Sequence, residues 1–257
     1  TLLFKSGMHI LVQGITGSGK TTFLLNFEYQ LMQRGYKILK RDDTGLEFIF
    51  LLKYPKVKNK TVLYIPNDEN VIVDIETKYC PDIVKFMTVN DIIEDFESRE
   101  EGTYGVVLYD IFTIRPELSA MFWSDFWLKF TKKIMQKPYH EKERIVLSLD
   151  ELNDLIQPQR GQLTSEHNRL RPLFEFNLRK VRKHGIKIVA TTHRLNMLSI
   201  NARSQFHGLV IKQSYGWDVY DLLNKMLVQI SSQLFFYILG DIITCLLYTS
   251  PSPRDRG

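Results

Sequence analysis

The residues Gly14-Ile15-Thr16-Gly17-Ser18-Gly19-Lys20-Thr21 spell G-x-x-x-x-G-K-T, the glycine-rich phosphate-binding pattern called a P-loop. Glycines at these positions let the backbone turn tightly, so that successive N–H groups point inward at phosphate oxygens. A helix that starts there adds the positive end of its dipole. In that setting Lys20 is expected to reach the β- and γ-phosphates, and the Thr21 hydroxyl to ligand Mg2+. Gly14, Thr16, Gly17, Ser18, Gly19 and Thr22 complete the expected nucleotide-binding set. A second stretch, Arg144-Ile145-Val146-Leu147-Ser148-Leu149-Asp150-Glu151, delivers two adjacent carboxylates at the end of an apolar run. This is the Walker B pattern with an added glutamate. Asp150 is expected to hold Mg2+, directly or through its water. Glu151 is placed to polarise an attacking water as general base. An acidic strand end alone says little. Paired with an upstream P-loop, it points to hydrolysis of ATP with Mg2+ as the metal.

These residues need elements to position them. His9 to Gln13 reads as a buried strand and Thr22 to Arg34 as a helix stopped by Gly35. Tyr36 to Lys40 reads as a second strand. The acidic residues in Arg41-Asp42-Asp43-Thr44-Gly45-Leu46-Glu47 then lie on the nucleotide side of a parallel sheet or form a solvated turn. Residues 53 to 70 are rich in Lys, Asn and Pro and read as loop and hairpin, with Lys60 to Pro66 as a short strand. Asn70 to Ile75 is another apolar run. Asp91 to Glu101 reads as a helix with Ile92, Ile93 and Phe96 at core spacing. Tyr104 to Asp110 reads as a central strand, with Asp110 a structural cap rather than a functional acid.

Glu117 to Gln136 reads as a helix, in which Trp123, Phe126, Trp127 and Phe130 share one face. Such a stripe is a subunit interface or base-stacking platform, or it packs on the sheet, and the last is the expectation. Ile186 to Arg194 is a strand with a polar end. A polar group there, beside the acid pair, can touch the γ-phosphate or the water, and His193 is the residue expected to do so. Gly208 to Lys212 is a last strand. Between Arg160 and Arg194, nine Lys/Arg stand against Glu166 and Glu175. This stretch reads in two ways. It is a surface that follows a phosphodiester backbone, or the solvated side of a helix whose core side is Leu173, Phe174, Phe176, Leu178 and Val181. About 125 residues separate the two motifs. That interval suits P-loop ATPases with a strand inserted between the two motif strands. The guanine-reading N-K-x-D of GTPases is missing.

At 257 residues and 44% hydrophobic content, the chain reads as one α/β domain with a substantial core. The formal charge of +5 is too modest to establish nucleic-acid binding by itself. Cys80 and Cys245 have no metal or redox spacing, and no signal peptide is visible, so an intracellular location is expected. The expected P-loop domain covers residues 1–230, followed by an unassigned segment, 231–244. Residues 245–257 resemble a translated sequencing adapter and are set aside. Leu234 to Leu247 is apolar but short for a membrane span, and is expected to pack rather than anchor.

Together these motifs resemble those of the HerA/FtsK superfamily of DNA-pumping ATPases. The match rests on Gly14 to Thr21, on Leu147 to Glu151, and on Arg182-Lys183-His184-Gly185-Ile186 running into Val189-Ala190-Thr191-Thr192-His193-Arg194. Arg203, before the last strand, is the fourth place. The family's R-K-x-G-I turn leads to a strand ending A-T-Q-R; here His193 stands at the Gln, and Val181 where Gly is common. The resemblance covers roughly residues 8 to 215. It implies a RecA-like P-loop NTPase fold with a mainly parallel central sheet flanked by helices. It also implies a ring-shaped homo-oligomer, a hexamer, that couples ATP hydrolysis to movement of double-stranded DNA. In such motors an arginine from the next subunit completes each site, and Arg182 and Arg203 both fit that role.

Within the superfamily the chain resembles the small packaging ATPases of tailless double-stranded DNA viruses, which implies a host-cytoplasmic or virion location and leaves a capsid or a membrane partner open. Filamentous-phage assembly ATPases of the zonula occludens toxin type are the alternative; they move protein or virions and carry a membrane segment. An ABC-type ATPase is disfavoured, because no L-S-G-G-Q stands upstream of Asp150.

Overall fold

A computed structural model describes residues 8–42, 45–71, 81–138, 144–156 and 164–213. Eight strands form one sheet: β1 (Ile10–Gln13), β2 (Lys37–Arg41), β3 (Thr61–Pro66), β4 (Asp82–Phe86), β5 (Tyr104–Val107), β6 (Ile145–Leu149), β7 (Lys187–Thr192) and β8 (Gly208–Ile211). Their order is β4-β3-β5-β2-β6-β7-β1-β8, and every pairing is parallel. The helices are α1 (Lys20–Met32), α2 (Pro55–Lys58), α3 (Val89–Ser98), α4 (Pro116–Met135), α5 (Leu152–Leu155), α6 (Ser165–Lys183) and α7 (Ile200–Arg203).

Parallel strands covered on both faces read as continuous apolar runs, and their side chains alternate between two cores. Leu11, Leu147, Leu149, Ile188 and Ala190 face one core, which α3, α4 and α6 complete. Ile10, Val12, Val146 and Val189 face the other, which α1 and the 3-10 turn at Glu47–Leu51 complete. The α4 stripe packs inward as expected: Trp123, Phe126, Trp127 and Phe130 are buried, and Trp127 stacks on Phe174 of α6 with ring centroids 4.3 Å apart.

Two expectations need correction, and one strand, β4, carries no signal in the sequence. Lys60 to Pro66 is a strand as expected, β3, but the hairpin reading of residues 53–70 fails, because β3 is buried and pairs in parallel with β4 and β5. β4 has no apolar alternation because it is an edge strand, largely exposed. Phe176 does not belong to the core side of α6. Leu170, Phe174, Leu178 and Val181 take that side, and Phe176, about half a turn from Phe174 at ~100° per residue, is 64% exposed. Of the Asn70–Ile75 run, residues 72–75 lie outside the described residues, as do residues 231–257. Among the described residues no helix is long and apolar enough to cross a membrane.

Candidate nucleotide site

Register alone brings the two motifs together. Gln13 at the end of β1 stands beside Thr192 of β7, and Leu149 at the end of β6 stands beside Ala190 of the same strand. The residues that follow, Gly14, His193, Asp150 and Glu151, therefore emerge at one carboxyl edge. That β7 lies between the two motif strands is the inserted-strand arrangement expected from the sequence.

The loop from Gly14 to Gly19 is built around its glycines. Gly17 (φ 78°) and Gly19 (φ 81°) are left-handed, a region that costs other L-residues about 1–2 kcal/mol. At Gly14 the constraint is space: a Cβ would lie 2.5 Å from Ser18 Oγ and 2.8 Å from Lys212 Cβ. Phe23 N–H donates to Gly19 O at 3.0 Å, and no side chain caps the N–H groups that precede it at the start of α1. Thr16 and Thr22 are exposed, and Thr21 is half-buried.

Lys20 turns back beneath this loop and is 6% exposed. Its ammonium donates to Ile15 O at 3.3 Å and meets His193 Nδ1 at 3.2 Å. It lies 3.7 Å from Glu151 Oε1. His193 Nε2 lies 3.2 Å from that same carboxylate oxygen. Lysine, glutamate and histidine, from three separate elements, therefore converge. Asp150 is also buried. Its Oδ1 accepts from Thr191 Oγ1 at 2.5 Å and from the Glu151 N–H at 3.2 Å. The Glu151 N–H also donates to Thr191 Oγ1 at 2.9 Å.

Glu151 itself is left-handed (φ 45°, ψ 60°), and this bend turns its side chain toward Lys20. Arg41, at the end of β2, supports the bend. Its Nη1 donates to Asp150 O at 2.6 Å and to Glu151 O at 3.3 Å. Hydrogen bonds to a charged donor are worth about 1.5–3 kcal/mol, enough to offset the left-handed residue. On its other side, Arg41 Nε donates to Asp110 Oδ2 at 2.7 Å. Asp110 also accepts from Ser119 Oγ at 2.5 Å and from Trp123 Nε1 at 3.0 Å. Asp110 is not the cap expected; its carboxylate joins Arg41 of β2 to Ser119 and Trp123 of α4.

Behind the site, a buried polar cluster joins α1 to three strands. Glu28 accepts from Tyr104 Oη at 2.6 Å, from Lys40 Nζ at 3.3 Å and from Ser148 Oγ. Burial works against the Lys40 charge, but Glu28, with Asp150 and Asp42, outweighs it and holds the pKa above the ordinary lysine value. Burial, with Glu28 and its hydrogen bond, keeps the Tyr104 hydroxyl protonated.

Sequence reasoning missed Arg41 as a site residue, along with Thr191 and Lys212. Lys212 follows β8, and its Cε would lie 3.8 Å from a Cβ at Gly19. The two remaining predicted residues, Arg182 and Arg203, are not brought to this edge. Arg182 lies in the last turn of α6, before β7 begins, and donates to His207 Nε2 at 2.7 Å. β7 is six residues long, about 20 Å at ~3.3 Å per residue, so Arg182 sits near the opposite edge. Arg203 ends α7, five residues before β8 starts on that same edge.

The side chains present fit a nucleotide and Mg2+. Among the described residues no group of three or more His, Cys, Asp or Glu could hold a metal. Mg2+, however, needs no such cage: one carboxylate plus phosphate oxygens and waters is its usual arrangement. Asp150 and Thr21 would supply that share.

The parallel sheet, the glycine-rich turn from β1 into α1, and the inserted strand define the RecA-like P-loop ATPase fold. Among solved structures, the chain is similar to B204, the DNA-packaging ATPase from Sulfolobus turreted icosahedral virus, at 16% identity and a TM-score of 0.51, covering 86% of this chain and 82% of that one. The genome-packaging NTPase B204 of Sulfolobus turreted icosahedral virus 2, in complex with ATP-gammaS, aligns at 15% identity and a TM-score of 0.46, covering 82% and 77%. The flagellar accessory protein FlaH from Methanocaldococcus jannaschii aligns at 13% and 0.39, covering 83% and 75%. No protein-family profile and no curated protein matches the sequence.

Proposed function

We propose that the chain is an ATP-hydrolysing DNA translocase of the genome-packaging kind, working as a ring within the HerA/FtsK superfamily. The observation that carries the ATPase reading is the meeting of Lys20, Glu151 and His193 at the carboxyl ends of β1, β6 and β7. Lys20 would bind the β- and γ-phosphates, and Asp150 and Thr21 would hold Mg2+, which would supply neutralising charge for the phosphate oxygens. Glu151 accepts the proton of the attacking water. His193 keeps that carboxylate oriented.

The DNA reading rests on the motif resemblance, on the fold shared with a protein described as a DNA-packaging ATPase, and on α6. Not all of that stretch's charge is available: Lys187 is buried, and Arg171 lies 3.8 Å from Glu175. Arg169, Arg179, Lys180 and Lys183 are exposed. Lys180 Nζ lies 4.1 Å from the ring centre of the exposed Phe176.

The test is ATP turnover with and without duplex DNA. Turnover should rise with DNA and vanish in Lys20→Ala. In Glu151→Gln it should fall about 10²–10⁴-fold with nucleotide still bound. Arg179→Ala with Lys183→Ala should weaken DNA binding and flatten its salt dependence. Turnover that ignores DNA but rises with lipid or a coat protein would replace this reading with that of an assembly ATPase.

A further inference from the structure

We propose that Arg41 is a positioning residue for the general base, a reading that rests on Glu151 having the role given above. Arg41 is 4% exposed, on a strand that carries no other part of the proposed machinery. Its guanidinium is engaged on two sides. Nη1 holds the carbonyls of both Asp150 and Glu151, and Nε holds Asp110.

Asp110 is in turn fixed by Ser119 and Trp123 of α4, and the guanidinium carbon lies 5.7 Å from the centre of the Trp123 ring. The fork is therefore oriented by a helix on one side and grips the backbone of the acid pair on the other. A lysine ammonium, a point charge with three rotatable donors, has no such fixed fork.

The consequence is directional. Glu151 is one of two non-glycine residues with positive φ among those described, and its carboxylate reaches Lys20 and His193 from that backbone state. Without the two carbonyl contacts, the peptide after Asp150 is free to relax toward the ordinary right-handed region, which swings the carboxylate away. The hydrogen bonds of Arg41 go to Asp110 and to the backbone carbonyls of Asp150 and Glu151, not to the side chains that would grip phosphate, so nucleotide binding should largely survive its loss. Misplacing a general base by about 1 Å can cost about 10²-fold in rate.

The experiment compares Arg41→Gln and Asp110→Asn with the intact chain in three measurements: kcat and KM for ATP, thermal unfolding, and hydrogen exchange at the amides of Glu151 and Asp154. Asp110→Asn keeps the shape of the anchor while weakening its hold, and serves if Arg41→Gln does not fold. Expected are a kcat lowered about 10–100-fold with KM within about threefold, and exchange at those two amides at least about tenfold faster. Unchanged kcat and exchange would overturn the proposal. So would a fall in kcat matched by an equal rise in KM and a general loss of protection, because that pattern marks a merely structural arginine. If the intact chain does not hydrolyse ATP, or Lys20→Ala is as active, the ATPase reading fails. The exchange measurement then still decides whether Arg41 holds the Glu151 backbone.

Discussion

His193 stands between Lys20 and Glu151 with a separate ring nitrogen for each. One neutral tautomer satisfies both contacts: Nδ1 accepts from the ammonium, and Nε2–H donates to the carboxylate. A glutamine amide has the same two functions, its oxygen for the lysine and its NH2 for the glutamate. This gives a physical reason why His193 can stand where the A-T-Q-R pattern carries Gln. His193→Gln should therefore keep kcat within about threefold of the intact protein, whereas His193→Ala should lose about 10–100-fold with little change in nucleotide affinity. Steady-state kinetics beside a nucleotide titration check this, and equal losses in the two variants would show that hydrogen bonding is not what the ring contributes. That Lys20, Asp150 and Glu151 come to one edge of the sheet was legible in the sequence, because each follows the end of an apolar strand run or the glycine-rich loop beside it. Arg41 was not. It reaches the acid pair from 109 positions away in sequence, and an arginine ending a strand carries no motif.

Strands buried on both faces were the easiest elements to read, because β6 and β7 are near-continuous apolar runs with polar ends. β4 was illegible for the opposite reason: an edge strand bearing Asp82 and Lys85 shows no hydrophobic period. The opposite edge of the sheet has its own chemistry, centred on His9, whose ring is fully buried. Its Nε2–H donates to Leu178 O at 3.1 Å, tying β1 to α6. Burial pushes the His9 pKa down from 6.5 to about 4, with His207 and Arg182 adding to the shift against the pull of the Leu178 carbonyl. The unfolded chain therefore binds this proton at a higher pH than the folded one, and stability must fall as pH drops from about 6.5 toward 4. His9 alone accounts for up to about 3 kcal/mol of that loss. His207 and His167, also pushed down chiefly by burial, act with the same sign. Urea unfolding at pH 7.5 and at pH 4.5 tests this. His9→Phe should be less stable at the higher pH, since the Leu178 carbonyl loses its donor, yet should lose less on acidification. An unchanged acid dependence would mean that His9 is not the group that titrates.

At the scale of the whole molecule, the two arginines taken from the sequence face a geometric limit. Arg182 pairs with His207 near the edge opposite the Lys20–Glu151 cluster, and Arg203 precedes β8 on that same edge. With about 20 Å of sheet between, at ~3.3 Å per residue, neither can serve the site of its own chain. A role in hydrolysis therefore requires a second copy, head to tail, as a closed ring provides. A chain with Lys20→Ala has a dead site but intact arginines; a chain with Arg182→Ala and Arg203→Ala has an intact site but nothing to lend its neighbour. Each alone should be nearly inactive. Mixed in equal amounts and allowed to exchange subunits, they should recover a part of the intact activity, because a Lys20→Ala protomer can complete the site of the arginine-deficient one beside it. Mixing in unequal ratios should move the recovered activity with the frequency of that one neighbour pair. If the arginine-deficient chain is fully active alone, neither residue takes part. If it is inactive and no mixture restores it while both variants still assemble, the arginines matter to folding or to assembly rather than to a neighbour's phosphate.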